Sequence, residues 1–236
     1  MTDIHTWLPN AQDLAYAEFL LYEEDYSKVA KKQYSKDDEF FSGMLFSAFT
    51  YSILSRKEQF KANKDNFKSL LNLNAWTAKE FRRNNAVLKE HIYTFGLGKT
   101  KFEVLDAAAQ RWDSLGIEET IREDENMEQG RVLRDIMTKE IKGTGYKLNS
   151  LFLRMCGYHN IVPVDSTAIH FVESRGFVFR YKNSGLKQQQ YVQYENIISK
   201  EAEKIGISPA LFQAAIYTKF STWKKDSGIL EFQNFF

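Results

Sequence analysis

Apolar positions recur along this chain at intervals of three and four residues, the spacing that lines one face of an α-helix. Phe40, Phe41, Met44, Leu45, Ala48, Phe49, Ser52 and Ile53 form the clearest run and predict a buried helix. Leu14, Phe19, Leu20, Leu21 and Tyr22 suit an earlier one. Phe60, Phe67, Leu70 and Leu71 continue the pattern, followed by Leu88, His91 and Ile92, then by Phe102, Leu105, Ala108, Ala109 and Trp112. Residues 131–139, 151–156 and 191–204 also read as helices, with Gly206 ending the last of these. Ser208 followed by Pro209 opens a final helix, because a serine cap and a proline at the first helical position both favour a start. One short run, residues 176–181, reads as strand-like and leads into a polar patch, residues 182–190.

The composition agrees with helices. Only 3 prolines and 12 glycines punctuate 236 residues, which disfavours a sheet-rich sandwich. With 43% apolar and 27% charged residues the chain is globular. Its length fits one large domain or two small ones. The single cysteine, Cys156, excludes an internal disulfide and any cysteine-ligated zinc or iron–sulfur site. The longest mostly apolar stretch, residues 44–54, has 11 residues, against the roughly 20 a membrane-crossing helix needs. The first ten residues lack the basic and apolar regions of a secretion signal. A cytoplasmic protein with no membrane partner is therefore expected.

A net charge of +1 favours no class of partner, but its distribution does. Residues 115–129 hold six acidic residues against Arg122 and read as a solvated acidic loop with a helix start. The sign then flips. Arg131, Arg134, Lys139, Lys142, Lys147 and Arg154 stand against only Asp135 and Glu140, an excess of four positive charges within residues 131–160.

That basic stretch holds the informative motif, Ile141-Lys142-Gly143-Thr144-Gly145-Tyr146-Lys147, between two helical runs. Two glycines one residue apart allow a tight turn and close backbone approach. Amides at the start of the following helix point outward and suit a phosphate. Such a hairpin grips a nucleic-acid backbone without reading its sequence. A simple interhelical turn is the plainer alternative. Downstream lies Val162-Pro163-Val164-Asp165, where Asp165 precedes a helix-compatible stretch and suits its N-cap.

This pairing resembles the helix-hairpin-helix (HhH-GPD) superfamily of DNA glycosylases. Within it, the match is to the bifunctional 8-oxoguanine DNA glycosylase/AP lyases, which carry a G-x-G-x-K hairpin and a downstream P-V-D or its analogue. Here Lys147 completes the first pattern and Asp165 the second, eighteen residues later. The resemblance implies an all-α fold of two helical lobes with a cleft between them, one unit over residues 1–236. The hairpin motif itself would occupy about residues 131–158.

It further implies that Lys147 attacks the sugar C1′ as a neutral amine, forms a Schiff base and cuts the strand by β-elimination. Asp165 would stabilise the positive charge developing on the sugar or help deprotonate Lys147. A lysine ordinarily titrates near about 10.4, so the nucleophile must be desolvated or set near other cations, with Lys142 and Arg154 as candidates. Lys142, Gly143, Thr144, Gly145 and Arg154 would hold the DNA backbone. Gln213 and Tyr217, on one helix face, would line the base pocket, with His170 close by. The partner implied is double-stranded DNA carrying a damaged or modified base, bound by a monomeric, nucleoid-associated enzyme. No metal or organic cofactor is required, and hairpin carbonyls suit a monovalent cation.

Two departures leave the substrate open. Leu148-Asn149 replaces the family's acidic–Ala pair, and the segment from Ile53 to Gln59 differs where the family fills the gap left by a flipped base. An oxidised purine is the expected base, and the same chemistry on another damaged base, or on hypermodified foreign DNA, is the first alternative. A non-catalytic hairpin clamp is the alternative from another class, but a clamp needs neither Lys147 nor Asp165.

Other motifs carry less. Gly96-Leu97-Gly98-Lys99-Thr100 looks like the end of a nucleotide-binding loop, yet Tyr93 stands where that pattern needs glycine. A glycine-rich turn with Lys99 or Lys101 facing DNA fits better. His5, His91 and His159 are scattered. His91 and Cys156 read as core residues, and Trp76, Trp112 and Trp223 as packing, although Phe212, Tyr217 or Trp223 could stack on an extruded base.

Overall fold

The apolar run around residue 49 forms a helix that is apolar on every side, as a helix enclosed by others must be. The computed structural model describes residues 6–24, 38–55, 60–124, 128–177 and 186–220. Among them are twelve helices and no strand: α1 Ala11–Glu24, α2 Asp38–Leu54, α3 Phe60–Leu71, α4 Ala78–Arg83, α5 Asn85–Ile92, α6 Gly98–Arg111, α7 Ile117–Glu123, α8 Gly130–Glu140, α9 Tyr146–Met155, α10 Ser166–Ser174, α11 Gln188–Lys204 and α12 Pro209–Phe220. Val178 to Tyr181 of the expected strand-like run lie outside the described residues, as do His5, Trp223 and residues 56–59 of the gap-filling segment.

The chain divides into two compact units. One, here the hairpin unit, is Asp25–Tyr158; the other, the aspartate unit, joins Met1–Glu24 to His159–Phe236.

In the hairpin unit α2 packs against α3, α6 and α9. Its core is aromatic. Fully buried Trp112 lies 5.1 Å from Phe46, 5.3 Å from Phe49 and 5.9 Å from Phe152, ring centre to ring centre. The indole N–H of Trp112 donates to Glu118 Oε1 at 2.7 Å, and Ser42 Oγ donates to the same oxygen at 2.7 Å. Among its described residues, the acidic segment is thus tied into the fold more than the sequence suggests. Ile117 and Ile121 of α7 are buried, and buried Asp124 accepts the amides of Glu128 (2.9 Å) and Gln129 (2.7 Å) where α8 begins. Trp112 packs as expected, whereas Trp76 is 40% exposed.

In the aspartate unit α12 packs against α1, α10 and α11. Trp7 is buried among Phe171, Phe212 and Phe220, with centroids 6.1, 6.4 and 4.9 Å away. Its N–H donates to Asp13 Oδ2, and Lys219 Nζ reaches Asp13 Oδ1 at 3.1 Å, tying α1 to α12. The predicted helix signals operate as read. Ser208 Oγ accepts the amide of Leu211 (3.2 Å) at the start of α12. Gly206, at φ +71°, ends α11 while the Ile207 amide donates back to Ala202 (3.2 Å), the glycine-terminated helix end. α11 begins three residues earlier than the apolar pattern indicates, because the Lys187 amide donates to Gln190 Oε1 (3.1 Å) and recruits the glutamine tract into its first turn.

Candidate active site

Helices α8 and α9 form the helix-hairpin-helix expected from the sequence, and their turn is fixed by its own polar groups. The Thr144 amide donates to Ile141 O (3.2 Å), and its hydroxyl to Met137 O (3.2 Å) and Ile141 O (2.9 Å). Asn149, fully buried one turn into α9, donates from Nδ2 to Thr144 Oγ1 (3.2 Å) and Thr138 Oγ1 (2.8 Å). Leu148 is buried too. The Leu148-Asn149 departure therefore serves the interior of the hairpin, and Thr144 is occupied in the turn itself.

The two glycines have different reasons. Gly143 sits at φ +89°, and a Cβ there would lie 2.6 Å from Val104 Cγ2 of α6. Conformation and close approach both require glycine. Gly145 is extended, at φ −143°, and a Cβ there would meet no atom within 4 Å. It is the N-cap of α9 and offers no side chain to the first-turn amides. A helix start without a side-chain acceptor carries partial positive charge and outward donors, the arrangement that receives a phosphate.

Lys147 is the second residue of α9 and is exposed, as is Lys142 in the turn. Arg154, expected at the DNA backbone, is buried at 6% exposure. A second buried cation of the hairpin is one the sequence named only as part of its basic excess. Arg134, 1% exposed, donates to Ser150 Oγ (3.1 Å) and lies 5.3 Å from the Tyr146 ring centre. Burial pushes the Tyr146 hydroxyl up, with the Asp135 charge adding and Arg134 opposing.

Asp165 belongs to the aspartate unit. Asp165 is the N-cap of α10, and its Oδ1 accepts the amide of Ala168 at 2.8 Å. Its Oδ2 lies 3.5 Å from Gln213 Nε2 on α12. The structure thus brings together two residues that the sequence had placed in separate roles. Gln213 is buried at 2% exposure, and Tyr217, one turn further along α12, is half-buried. His170 is exposed on α10.

The loop before Asp165 is held from behind. Tyr191 Oη donates to Val162 O (2.8 Å) and accepts the Val164 amide (2.9 Å), while Glu195 Oε1 accepts the Val162 amide (3.1 Å). Sequence reading placed both on a helix but assigned them nothing. Their spacing of four residues was the available signal; their partner was not visible.

The remaining candidates resolve simply. Lys101 is fully buried and does not face DNA, whereas Lys99 is exposed. In the same turn Gly98 is required by packing, since a Cβ would lie 2.1 Å from Ile92 O, and its amide donates to Phe95 O (2.9 Å). No phosphate cradle is needed to explain it. His91 pairs with Ser69 Oγ at 2.8 Å, and Cys156 is buried. Among the described residues, no helix is long and apolar enough to cross a membrane.

Comparison with known proteins follows the same lines. The family model for 8-oxoguanine DNA glycosylase matches residues 22–207. An 8-oxoguanine DNA glycosylase/AP lyase of Picrophilus torridus is 28% identical over 92 residues, covering 39% of this chain and 43% of that protein. One of Methanocaldococcus jannaschii is 28% identical over 83 residues, covering 35% and 40%. The matched stretch is thus about two fifths of the length of these curated relatives. Among solved structures, the M. jannaschii 8-oxoguanine glycosylase/lyase in complex with a 15mer DNA containing 8-oxoguanine superposes with a TM-score of 0.65 at 17% identity, covering 86% of this chain and 90% of that one. The 8-oxoguanine DNA glycosylase of Thermotoga maritima gives 0.66 at 17% identity, covering 89% and 94%.

Proposed function

The chain belongs to the 8-oxoguanine DNA glycosylase family, and from that premise we propose that it is a DNA glycosylase with AP lyase activity acting on an oxidised purine, 8-oxoguanine. The observation that carries this reading is the hairpin turn: an α9 start with no side-chain cap, an unobstructed Gly145 and an exposed lysine in the first turn. A phosphate on those amides brings the sugar of a bound nucleotide within reach of the first turn, where Lys147 stands.

The chemistry follows from the residues. A base within a duplex is out of reach until it is extruded. Its docking would exclude water from the Lys147 amine, which is otherwise exposed. The Lys147 nitrogen then forms a bond to C1′ as the glycosidic C–N bond breaks, and the base leaves with a proton. Ring opening gives a Schiff base, and loss of the 2′ proton expels the 3′ phosphate. Asp165 counters the positive charge that builds on the sugar or takes the proton from the attacking amine. Its carboxylate, already oriented by the Ala168 amide, supports that role. Gln213 and Tyr217 share a face of α12 and would read and stack the base. The buried, unpaired Asn149 Oδ1 is an oxygen of the kind a monovalent cation takes. Hairpin carbonyls would hold such an ion, which would add positive charge for the phosphate.

Borohydride trapping tests this reading. The duplexes would carry 8-oxoguanine opposite each normal base, an abasic site, uracil, or no lesion. A covalent adduct on the 8-oxoguanine duplex, absent in Lys147→Gln, is the expected result. Trapping on the abasic duplex alone keeps the lyase and removes 8-oxoguanine as the base. Binding without any adduct leaves only a backbone clamp.

A further inference from the structure

The residues just before Asp165 pose a hydrogen-bonding problem. Ile161, Val162 and Val164 are buried, yet they belong to no helix or strand, so their backbone groups have no ladder to join. A buried amide or carbonyl left unpaired costs about 1–3 kcal/mol, and such groups are almost always paired. Pro163 removes one donor from the count. Of the groups that remain, the Val162 amide, the Val162 carbonyl and the Val164 amide are met by two side chains of α11.

The arrangement is specific. Tyr191 and Glu195 lie four residues apart, on one helix face. The Tyr191 hydroxyl uses its proton on one side of Pro163 and its lone pair on the other, at 2.8 and 2.9 Å. Glu195 takes the neighbouring amide at 3.1 Å. Both side chains are buried, at 2% and 0% exposure. Either would be avoided in an apolar core unless well paired. The residue directly after this clamped backbone is Asp165. Where its carboxylate points depends on the direction in which the backbone enters α10, and that direction is set by α11.

We propose that Tyr191 and Glu195 are positioning residues for Asp165: they act on the reaction through the placement of its carboxylate, without touching substrate. The proposal rests on the catalytic role given to Asp165 above. Misplacing a catalytic group by about 1 Å costs up to roughly 100-fold in rate, and loss of a supporting shell about 10- to 100-fold.

The test uses the full chain and an abasic-site duplex. Two quantities are read: the single-turnover rate of strand cleavage, and the dissociation constant for a duplex carrying an uncleavable tetrahydrofuran abasic analogue. Tyr191→Phe removes one oxygen and keeps the ring. It should slow cleavage by about 10-fold or more, with affinity within about twofold. Glu195→Leu should do the same. Glu195→Gln, whose amide oxygen still accepts from Val162, should recover most of the rate. That split between rate and affinity, with rescue by the conservative change, is not expected of a residue that only stabilises the unit.

Cleavage by folded Tyr191→Phe at the parent rate overturns the proposal. So does a loss of affinity equal to the loss of rate, or a Glu195→Gln variant as slow as Glu195→Leu. Should Glu195→Leu fail to fold, Tyr191→Phe and Glu195→Gln decide between them. A parent chain that cleaves no abasic duplex overturns the proposed function and this role together; an active parent with unaffected variants overturns this role alone.

Discussion

Replacing Gly143 with alanine tests the hairpin's construction directly, because two independent penalties meet at one atom. The backbone there has φ +89°, a conformation that costs an L-residue about 1–2 kcal/mol. The new Cβ would also stand 2.6 Å from Val104 Cγ2, where ordinary contact begins at 3.4 Å. Relieving that overlap inside a packed unit costs a further 1–3 kcal/mol or so. Gly143→Ala should therefore destabilise by about 3 kcal/mol, read as a fall of roughly 6–12 °C in unfolding midpoint for a chain of this size. Gly145→Ala is the matched control. Its φ of −143° suits any residue and its Cβ meets open space, so its cost should stay within about 0.5 kcal/mol. A double-variant cycle separates the two penalties. Combining Gly143→Ala with Val104→Ala removes the clash and leaves the conformational strain, giving a favourable coupling of about 1 kcal/mol or more. The assay is urea unfolding of the parent and the four variants at one temperature. Equal costs for the two glycine variants, or a coupling near zero, would refute the assignment of close packing to Gly143 and openness to Gly145.

Asp165→Asn keeps a good N-cap, so unfolding should change by less than about 0.5 kcal/mol, while single-turnover cleavage should fall by about 100-fold or more. Trp112→Phe should cost about 2–4 kcal/mol by urea unfolding, since it removes core volume and the hydrogen bond to Glu118. Asn149→Ala should cost about 1–2 kcal/mol and loosen the turn, read as weaker binding of an undamaged duplex. Burial pushes the Tyr158 hydroxyl far above its ordinary 10.0, with the Asp124 charge adding. The unfolded chain then loses this proton first as pH rises, so stability present below about pH 10 is lost above it. Tyr158→Phe should flatten that alkaline loss in unfolding curves taken between about pH 8 and 11.

The helical spacing of apolar residues was enough to place most helices, because packing one face of each is what the core requires. It gave only a helix start for α7, where only Ile117 and Ile121 carry the pattern and the surrounding carboxylates read as solvent-facing. Glu118 and Asp124 are in fact spent inside, on Trp112, Ser42 and two backbone amides, and no one-dimensional pattern reveals such long-range pairing. Trp7, part of the aspartate unit's aromatic cluster, gave no periodic signal because it stands ahead of α1. At the candidate site, the turn at Gly143 and the N-cap at Asp165 were legible from local rules, whereas the roles of Lys147 and Asp165 come from the family resemblance alone. The burial of Arg154 was not legible, because charge alone does not tell a surface arginine from a buried one. Tyr191 and Glu195 were invisible as a clamp because their partners lie about 30 residues away in sequence.

The aspartate unit is assembled from two separated stretches, with the whole hairpin unit interposed between them. During synthesis the hairpin unit emerges as one uninterrupted stretch and is complete once Tyr158 has left the ribosome. Helix α1, made first, must wait for α12, made last among the described helices; the Asp13–Lys219 contact spans 206 residues. A nascent chain stopped soon after Tyr158 has left the ribosome thus carries a finished hairpin unit and an α1 whose partner α12 has not yet emerged. Ribosome stalling in that interval leaves a chain equipped to hold a DNA backbone but lacking the α11 and α12 supports of Asp165. Lys147 is thus made within a unit that is complete before α11 and α12, which brace Asp165, exist.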